Sequence, residues 1–429
     1  MRVLIISAEV WRDDTNGGNV LTNLIGSLDA EVAQIFCNPG EPQNNICKKY
    51  YQMTDGMVMR SALNRKPIGK VIEYEDFPTG GVKEEPSADQ PNKRMYSFFH
   101  RHRLGIFYFA RNFLWNTSNW KNEGLNKFVD EFAPDVIFAP CYGSKFMLRL
   151  TRYIAKRTGK KVISYISDDS YTLRHVRFSP YFWMNRFSVR RQLRKTFPYY
   201  SLVYTMTDTQ KEQCERDFGA NMKILRKSAD AALIPEKIAV GDPIRLVYAG
   251  GIYLNRYKTL SKIAAAIRRI NADGVKLRLD IYTANEITKK IKKALDDGES
   301  SFVHPSVFLS ELARIYKESD IALHVESFGL KERLAVRMSF STKIVDCLAS
   351  GAAPMAVCDP KQGGYRYLED EGAAICVGSP DKIEEALREL LKSPDKIKEC
   401  ARAARDCVAR NHNKEKTAEM LRRDFEELI

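Results

Sequence analysis

A chain of 429 residues is too long for one ordinary hydrophobic core, so we expect two or more domains, and an apolar content of 44% is enough to fill them. Lysine and arginine (68) outnumber aspartate and glutamate (54), and the net charge of +14 favours an anionic partner such as nucleic acid, an anionic membrane surface or a phosphorylated substrate. The nine cysteines lack CxxC or Cys/His spacing, which argues against a zinc site and a disulfide framework and indicates reduced, cytosolic thiols.

The N-terminus carries a short apolar run followed at once by acidic residues, in the sequence MRVLIISAEVW. This pattern is typical of a buried strand and not of a signal peptide. No run in the chain reaches the ~18 apolar residues that a membrane span needs. We therefore expect a cytoplasmic protein.

The first predicted strand, Arg2 to Ser7, leads into a loop in which Gly17 and Gly18 precede a helical run from Val20 to Leu28. Open α/β sheets place ligands at the carboxyl ends of their strands, and two adjacent glycines let a backbone approach a substrate closely. The pair is not part of a GxGxxG motif, so the support for dinucleotide binding is weak. A second strand is predicted over Val32 to Phe36, followed by a loop from Pro39 to Gln52.

Two segments of the first half contain no acidic residue and mix basic with aromatic side chains, Gln90 to Asn122 and Tyr171 to Thr207. Such a mixture suits the interface of an anionic membrane, where rings lie at headgroup depth and cations meet lipid phosphate. Alternatively the aromatic residues belong to the core and the basic ones form a solvated face. Before these segments, the polar stretch from Asp76 to Lys93 is predicted to be a mobile surface excursion.

Between the two basic segments, a strand over Lys161 to Ile166 ends in two carboxylates, Asp168 and Asp169. Carboxylates at this edge of a parallel sheet project into the ligand crevice, although they could simply cap the next helix. Pro235, Gly241 and Pro243 then mark a linker. We predict domains over 1–240 and 241–410, with a terminal helix over 411–429 that crosses back to the first domain.

The second half restarts with a predicted strand, Ile244 to Ala249, followed by Gly250 and Gly251 and a helix from about Arg256 to Ile270. Glycine after a strand, with a basic residue at the next helix start, is a reasonable diphosphate cradle. Further strands alternate with helices to the end of the chain, which predicts parallel, doubly wound sheets.

The stretch Ser339 to Val357 reads as a cap, a helix, a glycine stop at Gly351 and a buried strand. A helix N-terminus at Ser341 and Thr342 would offer free N–H groups to a phosphate, and Asp346, one turn later, could reach the hydroxyls of an attached ribose. The alternative is an ordinary αβ unit in which Ser341 or Thr342 only caps the helix.

The run STKIVDCLASG, preceded by DIALHVESF, resembles the nucleotide-sugar site of the retaining glycosyltransferases of family 4, which have the GT-B fold. Glu326 matches the first acidic residue of the family pattern, and Asp346 matches the second, where the family usually has Glu. In this chain the segment GLKERLAVRMSFS lengthens the spacing between the two acids. The resemblance implies an α/β protein with two Rossmann-like, doubly wound domains that face each other across a cleft.

The resemblance also implies transfer of a sugar from a nucleotide-sugar donor to a glycan or lipid-linked acceptor, as in cell-surface polysaccharide assembly. Arg256, with Lys258 in reserve, would neutralise the diphosphate, Glu326 would bind a sugar hydroxyl, and Asp168 or Asp169 would orient the acceptor or sugar. The residues assigned to donor binding are Gly17, Gly18, Gly250, Gly251, Lys258, Ser341, Thr342, Lys343 and Asp346. No cofactor or metal is expected, since no DxD motif or His/Asp/Glu cluster has ligand spacing.

Two other functions compete with this interpretation. A sugar-nucleotide epimerase on the same architecture would need no acceptor surface, so the two basic aromatic segments would lack a role. A nucleic-acid-binding protein is favoured by the charge alone. No recognisable nucleic-acid motif accompanies that charge, and the basic segments are too apolar for a simple phosphate-tracking groove.

Overall fold

A computed structural model of the chain describes residues 1–64, 67–78, 105–141 and 143–429. Most of the predicted excursion from Asp76 to Lys93 lies outside the described residues, as does the first part of the segment from Gln90 to Asn122. Within the described residues, none of the helices combines the length and the apolar content needed to cross a bilayer.

The first sheet has eight strands in the order β4-β3-β2-β1-β5-β6-β7-β8. All neighbouring strands are parallel except β3 and β4, which are antiparallel. The strands are β1 (Arg2–Ile6), β2 (Glu31–Phe36), β3 (Lys49–Gln52), β4 (Lys70–Glu73), β5 (Val136–Pro140), β6 (Val162–Ile166), β7 (Tyr200–Thr205) and β8 (Met222–Ile224). The sequence predicted a loop over residues 39–52 and missed β3, whose four residues are too few to show a period.

The second sheet has six parallel strands in the order β11-β10-β9-β12-β13-β14. They are β9 (Ile244–Ala249), β10 (Leu277–Thr283), β11 (Ser301–Pro305), β12 (Ile321–Val325), β13 (Ala353–Val357) and β14 (Ile375–Val377). The side chains of β12 and β13 are buried throughout, because helices cover both faces of the sheet.

Helices alternate with the strands in both halves. In the first half they are α1 (Asn16–Ile25), α2 (Asp55–Asn64), α3 (Gly105–Thr117), α4 (Glu123–Phe132), α5 (Lys145–Thr158), α6 (Pro180–Thr196) and α7 (Asp208–Phe218). In the second half they are α8 (Arg256–Ile270), α9 (Lys289–Leu295), α10 (Leu309–Glu318), α11 (Leu330–Val336), α12 (Thr342–Leu348), α13 (Gly363–Asp370), α14 (Ile383–Lys392), α15 (Asp395–Asn411) and α16 (Lys414–Glu426). The sequence predicted α8 with these bounds.

The last helix, α16, packs against the first sheet. Its buried Asp424 accepts hydrogen bonds from the Tyr204 hydroxyl at 2.7 Å and from the Lys223 amine at 2.6 Å. The ring of Phe425 lies 6.1 Å from that of Phe138 on β5. The chain therefore passes between the two sheets twice, once after β8 and once before α16.

Gly17 and Gly18 lie inside the first turn of α1, and not before the helix as the sequence predicted. Thr15 is the N-cap, and its hydroxyl accepts a hydrogen bond from the backbone N–H of Gly18 at 3.1 Å. A Cβ atom on Gly18 would lie 1.9 Å from the carbonyl oxygen of Arg12, whereas one on Gly17 would meet only the end of the Glu9 side chain. Gly18 is therefore required by close backbone packing.

We expect Gly18→Ala to destabilise the fold by about 1–3 kcal/mol, because the backbone at Arg12 must move to make room for the new methyl group. Gly17→Ala should cost much less, because the carboxylate of Glu9 can swing away. Thermal unfolding of the two variants would test this. Wild-type melting temperatures for both variants would show that the first turn of α1 tolerates a side chain at both positions.

Candidate active site

A cleft of about 1330 Å³ lies between the two sheets. It is bordered by loops at the carboxyl ends of parallel strands from both halves, which is where open α/β sheets bind ligands. Among the residues that line it are Glu9, Gly17, Asp168, Gly250, Gly251, Tyr253, Arg256, Asn285, Glu326, Ser339, Ser341, Thr342, Lys343 and Asp346. Most residues that the sequence assigned to the site therefore share one cavity.

Arg256 and Glu326 form an ion pair in the wall of this cleft. The Nη2 and Nε atoms of Arg256 donate to the two oxygens of Glu326 at 2.6 and 2.8 Å, and both side chains are nearly buried. Burial alone would lower the pKa of Arg256, but the hydrogen bonds that Arg256 donates to Glu326 outweigh it and raise the pKa. The sequence predicted both residues in the site but did not predict that they bind each other.

The remaining donor of Arg256 is its Nη1 atom, which lies 3.5 Å from the carbonyl oxygen of Gly251. The guanidinium also lies 4.7 Å from the ring centroid of Tyr253, which lines the cleft. Arg256 can therefore keep its bond to Glu326 and still contact an anion through Nη1.

Lys343 places a second cation beside this pair. Its amine lies over Gly250, where a Cβ atom would be 1.9 Å from Nζ, and φ of +148° also favours glycine at that position. Burial and the charge of Arg256 lower the pKa of Lys343 to about 8. Gly250 thus leaves space for the amine of Lys343, whose positive charge is only partly compensated by nearby carboxylates.

His324 on β12 lies behind these cations. It is buried, and its Nε2 atom has no hydrogen-bond partner in the described part of the chain. Burial, followed by the charges of Lys343 and Arg256, lowers the pKa of His324 to about 3. The imidazole is therefore neutral at physiological pH and adds no charge to the cluster.

The start of α12 faces the same cavity. Ser341 has the backbone geometry of an N-cap, but its side chain makes no capping hydrogen bond, so the hydroxyl of Ser341 is not used by the helix. Asp346, one turn later, accepts a hydrogen bond at 2.5 Å from Lys227. In the sequence, Lys227 lies in the connection from β8 to β9. The Asp346 side chain is 40% exposed, so it remains accessible from the cleft.

The first domain contributes Glu9 and Asp168 to the opposite wall. Asp168 follows β6 and accepts a hydrogen bond from the Ser339 hydroxyl at 3.1 Å, which joins the two walls directly. The sequence did not single out Glu9, and the only available signal was an acidic residue soon after the first strand. Asn285, which accepts a hydrogen bond from the N–H of Ile252 at 2.8 Å and fixes the loop after β9, was also missed.

Asp169 does not line the cleft, and the structure corrects its assignment as a catalytic candidate. Its buried carboxylate binds Thr172, His175 and Arg186, with Arg186 at 3.0 Å. Burial raises the pKa of Asp169, but these hydrogen bonds and the Arg186 charge outweigh it and lower the pKa to about 2. It stabilises the loop after β6 and caps no helix.

Two further donor-site assignments lie outside the cleft lining. Gly18 packs against the backbone of Arg12, as described above. Lys258 is exposed on α8, because residues two positions apart point to nearly opposite sides of a helix and Arg256 faces inward. The second cation of the cleft is Lys343 instead.

In the described residues, no three His, Cys, Asp or Glu side chains are grouped so that they could hold a metal ion. The charged groups of the cavity are arranged as cations on the second-domain wall and as carboxylates on both walls. Such a wall suits a ligand that carries both phosphate and hydroxyl groups.

Comparison with known proteins gives a match to a family model described as glycosyl transferase-like, over residues 265–423. No protein of curated function matches the sequence. Solved structures match over the whole chain. They include HepE from Anabaena in complex with UDP (TM-score 0.63, 11% identity, 100% of both chains) and sucrose-phosphate synthase from Thermosynechococcus elongatus (TM-score 0.61, 12% identity, 100% of this chain and 99% of that one).

The fold is GT-B. The two parallel-sheet domains and the full-length structural matches confirm this part of the sequence prediction. At these identities the matches establish the fold alone. The roles of individual residues must be argued from the cleft itself.

We expect the cleft to bind a nucleoside diphosphate more weakly as pH rises through about 8, because Lys343 loses its proton there. Below that pH the amine is charged and attracts phosphate, and a charge-assisted hydrogen bond is worth about 1.5–3 kcal/mol, or roughly ten- to a hundredfold in affinity. Calorimetric titration with UDP at several pH values measures the effect.

Lys343→Gln should bind UDP weakly at every pH and lose most of this dependence. Lys258→Gln, which removes an exposed lysine from α8, is the matched control and should behave as the wild type. If the wild-type affinity is the same on both sides of pH 8, or if the two variants are indistinguishable, Lys343 does not bind the phosphates.

Proposed function

We propose that the protein is a glycosyltransferase that moves a sugar from a nucleotide-sugar donor to a glycan or lipid-linked acceptor. The observation that carries the proposal is the meeting of Arg256, Lys343 and Glu326 in one wall of a cleft whose other wall presents Asp168. The glycosyl transferase-like match over residues 265–423 favours this function over a nucleic-acid-binding protein.

The donor is held by the second domain in this proposal. Lys343 and the Nη1 atom of Arg256 bind the diphosphate, together with the backbone N–H groups at Ser341 and Thr342. Asp346 binds the ribose, and the oxygens of Glu326, each of which keeps a free lone pair beside Arg256, accept from a sugar hydroxyl. HepE, which has the same fold, was solved with UDP-glucose, and this supports a nucleotide-sugar donor.

Catalysis in this scheme depends on charge. The bond between the sugar and the diphosphate breaks as a bond to the acceptor oxygen forms, and negative charge develops on the leaving phosphate. The acceptor hydroxyl gives its proton to an oxygen of that phosphate. The cations are already fixed in the wall of the cleft, so they stabilise this charge without reorganisation. We propose transfer with retention of the configuration at the sugar, which the family 4 resemblance implies. One structural study of trehalose-6-phosphate synthase, which has the same fold, describes glycosyl transfer with retention for that enzyme.

The acceptor approaches from the first domain. There Asp168 and Glu9 present carboxylates that can accept hydrogen bonds from acceptor hydroxyls. We further propose that the product belongs to a cell-surface polysaccharide.

An assay with a donor whose sugar is labelled distinguishes transfer from epimerisation. Only transfer joins the labelled sugar to a second molecule and releases the free nucleoside diphosphate.

We expect Asp346→Ala to weaken binding of the cognate nucleoside diphosphate by roughly tenfold or more, the value of a lost charge-assisted hydrogen bond. The matched control is Lys227→Met, which breaks the same ion pair but keeps the carboxylate. It should bind the ligand at least as well as the wild type. Calorimetric titration that shows no change in Asp346→Ala, or the same loss in both variants, would remove Asp346 from the ribose site.

Transfer should need no divalent metal, because Arg256 and Lys343 already neutralise the leaving diphosphate. We expect equal activity in excess EDTA and with added Mg²⁺ or Mn²⁺, whereas Arg256→Ala should lose ~100-fold or more in turnover, the scale of a single preorganised donor. Arg256→Lys, which keeps the charge, should retain more of the activity. The melting temperatures of the variants show whether a loss of activity is due to unfolding. If EDTA abolishes activity and Mn²⁺ restores it, a metal and not Arg256 neutralises the diphosphate.

A further inference from the structure

Helix α6 presents large apolar side chains to solvent at its N-terminal end. Phe178, just before the helix, is 97% exposed, and Tyr181, Met184 and Phe187 are 50%, 59% and 55% exposed. The last three are three residues apart, which places them along one face of the helix. Four adjacent exposed side chains of this size form a patch and not the scattered apolar exposure of an ordinary surface.

The same face continues as a basic surface. Arg191, Arg194 and Lys195 are exposed along the C-terminal half of α6, and Arg177 is exposed next to Phe178. Segment 171–207 contains no acidic residue. We call Phe178, Tyr181, Met184 and Phe187, together with Arg191, Arg194 and Lys195, the α6 face.

The other arginines of the helix have structural partners. Arg186 binds Asp169 at 3.0 Å, and Arg190 binds Asp217 at 3.2 Å. On the opposite side of α6, Val189 and Leu193 are buried in the core of the first domain. The helix is therefore firmly packed, and the α6 face is the side that remains toward solvent.

The first basic aromatic segment behaves differently where the structure describes it. Trp115 and Trp120 are 2% and 1% exposed and pack on Phe146. Arg111 is paired with Asp55 at 2.9 Å. Trp115, Trp120 and Arg111 fit the interpretation of aromatic core and paired cations, whereas Phe113 is 58% exposed. The proposal below is therefore confined to the α6 face.

We propose that the α6 face docks on an anionic phospholipid bilayer. Aromatic rings and methionine enter the headgroup region, and the adjacent cations meet lipid phosphate. The combination of apolar and cationic side chains without acids favours a lipid surface over a second copy of this chain, which would bring its own cations to the contact. The loop that follows β6 carries both Asp168 in the cleft and Phe178, so docking would bring the acceptor wall close to the membrane.

Co-sedimentation with lipid vesicles tests the proposal. The wild type should pellet with phosphatidylcholine vesicles that contain phosphatidylglycerol, and much less with phosphatidylcholine alone. High salt should release it. The variant Arg191→Gln/Arg194→Gln/Lys195→Gln should bind on the order of a hundredfold more weakly, since each basic residue near an anionic surface is worth about fivefold.

The matched control removes the same charge from another surface. Lys289, Lys290 and Lys293 are exposed on α9 of the second domain, and their replacement by Gln should leave vesicle binding largely unchanged. Phe178→Ser/Tyr181→Ser/Phe187→Ser should weaken binding without changing the melting temperature, because these side chains are exposed.

Three results would overturn the proposal. The first is that the wild type pellets equally on neutral and anionic vesicles, or pellets on neither. The second is that the α6 and α9 charge variants have equal effects. The third is that light scattering shows the apolar variant to have dissociated a dimer, although that variant still pellets with lipid. The last result would make the α6 face an interface between two copies. Titration of the same variants with UDP keeps this test separate from the proposed transferase function, because none of the substituted residues lines the cleft.

Discussion

The ion pair between Arg256 and Glu326 is the interaction on which the candidate site depends. Each residue comes from a different element, the start of α8 and the end of β12, and each lies in a nearly buried position where a single charge would be costly. Both oxygens of Glu326 are bound, and Thr259 donates to its backbone carbonyl at 2.9 Å. Loss of one partner would leave the other charge buried, at a cost on the order of 3–5 kcal/mol. The pair therefore fixes both charged groups at the edge of the sheet.

This pair also sets the state of Lys343. Glu326 compensates Arg256, and Asp346 is bound to Lys227. Among the described residues, no carboxylate forms a hydrogen bond or an ion pair with the Lys343 amine, which lies beside a neutral His324. Burial and Arg256 then make protonation of Lys343 harder. An anionic ligand would supply the missing charge and raise the pKa of Lys343 again. The cavity is thus electrostatically suited to an anion before any ligand is present.

Much of the fold could be predicted from sequence because its central strands are short apolar runs and its helices are periodic. The strands β9 and β10 and the helix α8 were predicted with their observed bounds. The same reasoning missed β3, an isolated four-residue strand, and put Gly17 and Gly18 outside α1. Position after a strand pointed to Asp168, position at the next helix start pointed to Arg256, and the family resemblance pointed to Glu326; all three line the cleft. Position after a strand could not separate Asp168 from Asp169, because adjacent residues of a loop differ only in where the fold turns their side chains.

The lengthened segment between Glu326 and Asp346 links the second-domain wall of the cleft to the first domain. Its helix α11 is followed by Met338, whose carbonyl accepts from Thr207 at 3.0 Å, and by Ser339, which donates to Asp168. Asp346 itself binds Lys227, whose carbonyl oxygen lies 3.0 Å from Nδ1 of His412 at the second chain crossing. A ligand that donates hydrogen bonds to Asp346 must share that carboxylate with Lys227. If the ribose of the donor binds Asp346, as the proposed function requires, donor binding and the contact between Lys227 and Asp346 are energetically coupled, since one carboxylate serves both.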